Sequence, residues 1–220
     1  VKDVLKEQKR YYAERASEYD DWWYRRGRYE LGPEALARWQ ADIAEAEGAL
    51  EAFAPPGSVL ELAAGTGIWT RKLVRLAERV VAVDANAETL ALNTTEAELV
   101  RADVFEWRPA EPFDLVFFSF WLSHVPEDRF DEFWSLVRSA LVPGGRVFLV
   151  DSGAGDTAHT GTDQADWEET RSLSDGRTFR IVKRRWGPAE LAERVRPLGF
   201  ELQLRDTANG HFLYGSGALA

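Results

Sequence analysis

The sequence predicts an α/β fold, a doubly wound and mostly parallel sheet preceded by a helical N-terminal cap. Three observations carry that expectation. Apolar residues recur at helical spacing up to about residue 53; from Ser58 onward short apolar runs alternate with amphipathic stretches; and a glycine-rich turn joins the first run to the helix after it. Alternating strands and helices require crossovers, and right-handed crossovers make neighbouring strands parallel.

In the N-terminal region the helical spacing covers Val4 to Tyr19, and Gly32-Pro33 starts a second helix over Glu34 to Phe53. Pro55-Pro56-Gly57 ends it. Strands are expected at Ser58 to Leu62, Arg79 to Val83, Glu98 to Arg101, Phe113 to Ser119 and Arg146 to Asp151, all rich in Val, Leu or Phe. Helices are expected at Trp69 to Ala77, Ala87 to Glu96 and Glu127 to Leu141, with Val142-Pro143-Gly144-Gly145 as a turn feeding the fifth strand. Gly153 to Asp166 is small and polar and reads as a surface loop. Thr170 to Trp186 reads as a hairpin around Asp175-Gly176. Gly187-Pro188 opens a last helix to about Leu198, and Phe200 to Asp206 with His211 to Ser216 form a closing antiparallel pair. The whole chain, 1–220, reads as one domain: a cap and lid over 1–55, a core over 56–151, a loop and hairpin over 152–186, and a final unit over 187–220.

Composition narrows the function classes. The 220 residues are 45% hydrophobic and 29% charged, no run is apolar and long enough to cross a bilayer, and VKDVLKEQKRYY lacks the apolar centre of a secretion signal. A cytoplasmic enzyme is the expectation. The lack of any Met, even at position 1, points to a native start that is missing or processed. There is no Cys, which excludes thiolate metal sites, and only three His, widely spaced, which argues against a histidine-rich one; carboxylates alone can hold a hard cation, but no metal is expected. A formal charge of −10 argues against a nucleic-acid partner, for which many Lys and Arg contacts are needed; Lys183-Arg184-Arg185 is the one candidate patch.

The chemistry concentrates in VLELAAGTGIWT, Val59 to Thr70. A strand ending in Glu61 runs into Leu62-Ala63-Ala64-Gly65-Thr66-Gly67 and then a helix, so small residues let the backbone pass close under a ligand. By itself this is compatible with a dinucleotide, a methyl donor or a plain tight turn. A dinucleotide fingerprint wants a third glycine where this chain has Thr70. The next strand leads to Asp84, nineteen residues after Gly65, and the strand after that leads to Asp103-Val104, nineteen residues further. A carboxylate at Asp84 can accept both ribose hydroxyls, while Asp103 and the Val104 N–H can read an adenine edge. Each alone reads more readily as a cap or a loop carboxylate; together they describe an adenosine site.

As a set these segments resemble the class I S-adenosylmethionine-dependent methyltransferases, specifically the small-molecule enzymes with a helical N-terminal cap. Glu61 to Gly67 is similar to the family's first motif, Asp84 to its second, Asp103-Val104 to its third, Phe113 to Ser119 to its fourth and LVPGGRVFLV, Leu141 to Val150, to its fifth. The resemblance implies a Rossmann-like sheet of seven strands in the order 3-2-1-4-5-7-6, the last antiparallel, with S-adenosylmethionine as cofactor, S-adenosylhomocysteine as product and a small-molecule methyl acceptor. It also implies a lid over the cofactor, with Tyr11, Tyr12, Tyr19 and Trp23 as lining candidates. Ala63 departs from the glycine most often found there but keeps a small residue. Arg28 is the candidate partner of the donor carboxylate, because arginine offers a bidentate fork. With Ser119 above the fourth strand, the donor set is Tyr19, Arg28, Glu61, Ala63, Gly65, Gly67, Asp84, Asp103, Val104 and Ser119.

The acceptor is expected beyond the fourth strand, where Ser119 to Pro126 is unusually aromatic and suits a planar or apolar molecule accepting through O or N rather than C. His124 is the candidate general base, with a loop-holding hydrogen bond as the alternative. Arg171, Arg177 and Arg180 on the hairpin read either as acid-recognising groups or as charges protecting a sheet edge. Three competing classes remain open at this point: a nicotinamide oxidoreductase with a divergent glycine loop, a non-catalytic adenosine-binding protein, and a nucleic-acid methyltransferase.

Overall fold

The computed structural model describes residues 2–53, 57–153 and 167–219. Helix α1 (Lys2–Trp23) and helix α2 (Pro33–Phe53) come first. Strands β1 (Ser58–Leu62), β2 (Arg79–Asp84), β3 (Glu98–Arg101), β4 (Phe113–Ser119) and β5 (Leu141–Ser152) then alternate with α3 (Thr70–Leu76), α4 (Ala87–Leu90) and α5 (Glu127–Ser139). A hairpin, β6 (Glu168–Ser172) and β7 (Thr178–Val182), precedes α6 (Pro188–Val195), β8 (Phe200–Asp206) and β9 (Phe212–Leu219).

The main sheet has seven strands in the order β3-β2-β1-β4-β5-β9-β8, and β6-β7 form a separate two-stranded sheet. Counted without the hairpin, this is the expected 3-2-1-4-5-7-6 order. Strand β9 is antiparallel to β5, pairing Val150 with Tyr214 and Ser152 with Phe212. No helix among the described residues is long and apolar enough to cross a membrane.

The central strands are apolar on both faces because both are covered. Along β4, Val116 and Phe118 join a core with Phe130, Phe133, Trp134 and Val137 of α5, while Leu115 and Phe117 join a second core with Trp39, Ala46 and Leu50 of α2. The α5 residues recur at the three- and four-residue spacing that lays one helical stripe on a sheet. Each cap helix also has its own seat. Helix α2 lies on the sheet, and α1 carries Tyr11 into a third cluster with Leu173, Phe179 and Ile181 around the hairpin.

Three expectations shift in detail. The helix over Ala87 to Glu96 stops at Leu90, because the Asn93 side chain instead donates to Thr70 Oγ1 (3.0 Å) and accepts from Thr95 Oγ1 (2.7 Å), fixing a turn. Val142-Pro143-Gly144-Gly145 is a bulge within β5 rather than a turn before it: Phe113 pairs with Leu141 and Leu115 with Arg146, so extra residues are looped out between. Helix α1 runs on to Trp23, past Tyr19. The break at Pro55-Pro56 and the loop from 154 to 166 lie outside the described residues.

Candidate active site

The site opens beyond the carboxyl ends of β1, β2 and β4, where a doubly wound sheet leaves a crevice. After β1 the chain turns through left-handed backbone at Ala63 (φ 55°), Gly65 (φ 57°) and Gly67 (φ 84°). At Gly67 a Cβ would stand 2.5 Å from the Asn93 side chain, so both conformation and space require glycine. Ala63 holds the same backbone with a Cβ, a strained position at the loop's first residue.

Asp84 ties this loop to the next strand. Its Oδ2 accepts from the Gly65 N–H (2.9 Å), and its Oδ1 accepts from the Asn86 N–H (2.8 Å) and the Thr89 hydroxyl (3.1 Å). An ionised carboxylate has about four lone-pair positions, so capacity remains for a ribose hydroxyl. Burial pushes the Asp84 carboxyl up, and these donors oppose it. At the end of β3, Asp103 accepts from the Phe105 N–H (3.0 Å) and pairs with Lys9 of α1. Beneath the loop Glu61 is buried and accepts from Thr70 Oγ1 (2.5 Å), while its Oε1 has no hydrogen bond among the described residues. Burial, opposed by Thr70 and reinforced by Asp84, pushes this carboxyl up to about 8.

Over these strand ends lies a cavity walled on one side by Tyr19, Ala63, Gly65, Asp84, Asp103, Val104 and Ser119 and on the other by Leu5, Gln8, Lys9 and Tyr12 of α1. Next to it is a second, smaller cavity lined by Tyr11, Arg15, Trp22, Ser152, Arg171 and Lys183. Tyr12, Tyr19, Phe120 and His124 line both, so the two compartments adjoin along these side chains.

Three cations converge on the smaller compartment. Lys183, 4% exposed, donates to Ser123 Oγ (2.9 Å) and Ser152 Oγ (2.8 Å) and stands 3.9 Å from Asp151. Arg171 pairs with Glu169 at 2.9 Å. Arg15 is 6% exposed and forms no ion pair among the described residues; it donates to the Tyr29 hydroxyl (3.3 Å) and sits over the rings of Tyr11, Tyr19 and Tyr29, and its Nε has no partner there. A buried guanidinium without a counter-charge is costly to hold.

His124 stands where the two compartments adjoin. Its Nδ1 lies 2.6 Å from the Val182 carbonyl, which can only accept, so Nδ1 carries the proton and Nε2 accepts from the Tyr12 hydroxyl at 2.8 Å. Burial, together with Lys183, holds the imidazole well below its ordinary pKa, so it is neutral near pH 7. Burial likewise raises the Tyr12 phenol and pushes that of Tyr19 up to about 12.

Of the residues singled out from the sequence, Tyr19, Ala63, Gly65, Asp84, Asp103, Val104, Ser119 and His124 meet on the larger cavity, whereas Glu61 and Gly67 lie behind its wall. Arg28 is placed elsewhere: it pairs with Glu18 (3.4 Å) and donates to the Tyr29 hydroxyl (2.7 Å) and the Ser172 carbonyl (3.0 Å). Arg177 and Arg180 also face away, toward Glu14 and Glu7 of α1. Sequence reasoning missed Arg15, Lys9 and Asp20, which accepts from Thr66 Oγ1 at 2.5 Å and so pins α1 to the glycine loop. It noticed Lys183 only as part of a basic run. One signal pointed to Arg15: it shares a helical face with Tyr11, Tyr12 and Tyr19, at spacings of three and four.

Comparison with known proteins agrees with this geometry. Residues 59–145 match a family model described as a methyltransferase domain. No curated protein matches the chain. Among solved structures, DhpI in complex with SAH is 39% identical with a TM-score of 0.79, the match covering 99% of this chain and 97% of that one. A DhpI-SAM-HEP complex matches at the same identity and TM-score over 97% of each chain. A methyltransferase from Burkholderia thailandensis, solved with 1,6-didemethyltoxoflavin and S-adenosylhomocysteine, shares the fold at 20% identity and a TM-score of 0.60, over 96% of this chain and 89% of that one. With this near full-length similarity and a cavity on the glycine loop that Asp84 and Asp103 line, the chain belongs to the class I S-adenosylmethionine-dependent methyltransferases, and S-adenosylmethionine is its methyl donor.

Proposed function

We propose that the enzyme methylates a small anionic acceptor on oxygen, with the oxyanion seated among Arg15, Arg171 and Lys183. The observation that carries this reading is the convergence of three cations, buried Arg15 and half-buried Arg171 and Lys183, on a compartment that adjoins the donor cavity. Asp151 and Glu169 offset two of them, so among the described residues the pocket keeps an excess positive charge that a carboxylate or phosphorus oxyacid would neutralise. A protonated amine would meet the same charge as repulsion, which disfavours nitrogen acceptors. Carbon acceptors need a base to generate a carbanion, and His124 is neutral with its one lone pair already accepting from Tyr12.

In this reading Asp84 and Asp103 hold the nucleoside of the donor, and α1 roofs it through Tyr12 and Tyr19. The donor supplies a methyl group on a positively charged sulfur, which keeps the C–S electron pair when the methyl leaves. An ionised oxygen is already a nucleophile, so the protein's work is alignment, charge neutralisation and exclusion of water. His124 and Tyr12 form a hydrogen-bonded rim where the two compartments meet, and the acceptor oxygen reaches the methyl group past that rim. The aromatic wall of Phe120 and Tyr19 packs the apolar remainder of both ligands. The DhpI complex with SAM and HEP supports a site that takes the donor together with a second component.

The test is turnover, read as S-adenosylhomocysteine release, on a panel of small carboxylates and phosphorus oxyacids beside neutral phenols and amines. Activity confined to the acids, with inorganic phosphate as a competitor of the acceptor, is expected. Turnover of a neutral aromatic acceptor with none on the acids would overturn the reading.

A further inference from the structure

We propose that the acceptor compartment selects the charge state of the ligand in the donor compartment: an oxyanion held by Arg15, Arg171 and Lys183 tightens binding of the cationic donor over its neutral demethylated product. This rests on the anionic-acceptor reading above and adds a thermodynamic coupling to it.

The physical basis is the charge census of a shared wall. Tyr12, Tyr19, Phe120 and His124 face both cavities, and none of them carries a charge: the phenols and the phenyl ring are neutral, and the imidazole spends its one proton on the Val182 carbonyl. None of these side chains screens one compartment from the other, and burial keeps the local dielectric low. Among the described residues on the acceptor side, Asp151 stands beside Lys183 and Glu169 pairs with Arg171, while Arg15 has no carboxylate beside it, which leaves one positive charge in excess. S-adenosylmethionine and S-adenosylhomocysteine differ by one positive charge at sulfur. With the acceptor side positive, that charge is opposed; with an oxyanion seated, the sign of the neighbouring compartment reverses and the charge is favoured. Asp20, Asp84 and Glu61 on the donor side are present with either ligand, so they cancel from the difference.

Reciprocity then requires the cationic donor to raise affinity for the anion by the same factor. Substrates recruit each other. Once the methyl group has moved, the acceptor has lost a negative charge and the donor its positive one, so the mutual attraction ends for both products together.

The test uses inorganic phosphate as the anion and two non-reacting donor-site ligands, S-adenosylhomocysteine and the aza analogue of the donor, in which a protonated N-methyl amine replaces the sulfonium. Calorimetry at constant ionic strength, with and without saturating phosphate, should show phosphate improving the affinity of the aza analogue about tenfold more than that of S-adenosylhomocysteine. Arg15→Met should shrink that ratio to under about threefold, and Arg171→Gln serves as a second variant should the first fail to fold. Phosphate binding that competes with the acceptor but shifts both ligands equally would overturn the coupling while leaving the anionic acceptor in place. No phosphate binding in either complex would overturn both.

Discussion

The two compartments of the site are built in opposite ways. The donor side uses backbone: strand ends, a left-handed loop, and carboxylates at Asp84 and Asp103 that each accept from an N–H two residues on, Asp84 also from the Gly65 N–H of the neighbouring loop. The acceptor side uses long side chains carried by α1 and the hairpin, elements that sit outside the main sheet and meet across more than 150 residues. One compartment balances Asp84 and Asp103 against Lys9 and Arg129, and its floor follows from the loops after successive strands. The other is basic and assembled only by tertiary structure.

Removing one cation is the strongest way to break that contrast. Arg15→Met should lower kcat/KM for the acceptor by about 3 kcal/mol, roughly a hundredfold, while the affinity for S-adenosylhomocysteine stays within about twofold. Its melting temperature should hold or rise, since a buried guanidinium without a carboxylate partner among the described residues is being removed. A large loss of stability with unchanged acceptor kinetics would make Arg15 a structural group. The mirror-image change is Asp84→Ala, expected to weaken S-adenosylhomocysteine binding by about 1–3 kcal/mol in calorimetry and to leave phosphate affinity alone. Unchanged cofactor affinity would remove Asp84 from the donor side.

Between the two lies His124. Because burial and Lys183 hold its pKa well below 6.5, it stays neutral from about pH 6 to 8, and kcat should show no inflection from it in that range. His124→Ala should cost about tenfold in turnover through the lost rim, with little effect on cofactor affinity. An inflection near pH 6.5 that vanishes in His124→Ala would instead make it a base.

Smaller effects sharpen the donor side. Glu61 has a folded pKa of about 8, above its unfolded value, so the stability it contributes is fully present below about pH 4.5 and is lost as pH rises toward 8. Glu61→Gln should flatten that loss, raising the melting temperature by a few degrees relative to wild type at pH 8 and little at pH 5. The smallest change is Ala63→Gly. Relief of a left-handed Cβ, about 1 kcal/mol, is partly offset by the added freedom of glycine in the unfolded chain, so a gain of under about 1 kcal/mol in denaturant unfolding is expected.

The contrast also explains what the sequence could and could not reveal. Strand β4 was legible because Phe113 to Ser119 is apolar on both faces, and Asp84 because a carboxylate recurred at a fixed distance from the glycine turn. The acceptor cations were not. Lys183 points inward because the Val182 N–H donates to Gln8 and its carbonyl accepts from His124, two contacts from elements far away in sequence. Arg28 misled for the same reason: its nearest carboxylate, Glu18, lies on the same helical cap, and no local pattern shows that the pair forms. The bulge in β5 stayed hidden because a Pro-Gly-Gly sequence is compatible with either a turn or a looped-out strand.

The separateness of the β6-β7 sheet has a bearing on how such an enzyme could change its diet. The hairpin docks on α1 through Tyr11, Phe179 and Ile181 and through ion pairs such as Arg180 with Glu7, and among the described residues it shares no strand pairing with the seven-stranded sheet. Its Arg171 lines the smaller compartment and none of its residues lines the larger one, whereas α1 lines both. Exchanging the hairpin alone would redraw one wall of the smaller compartment and leave the lining of the larger one in place, a modular route by which one scaffold can serve chemically unrelated acceptors.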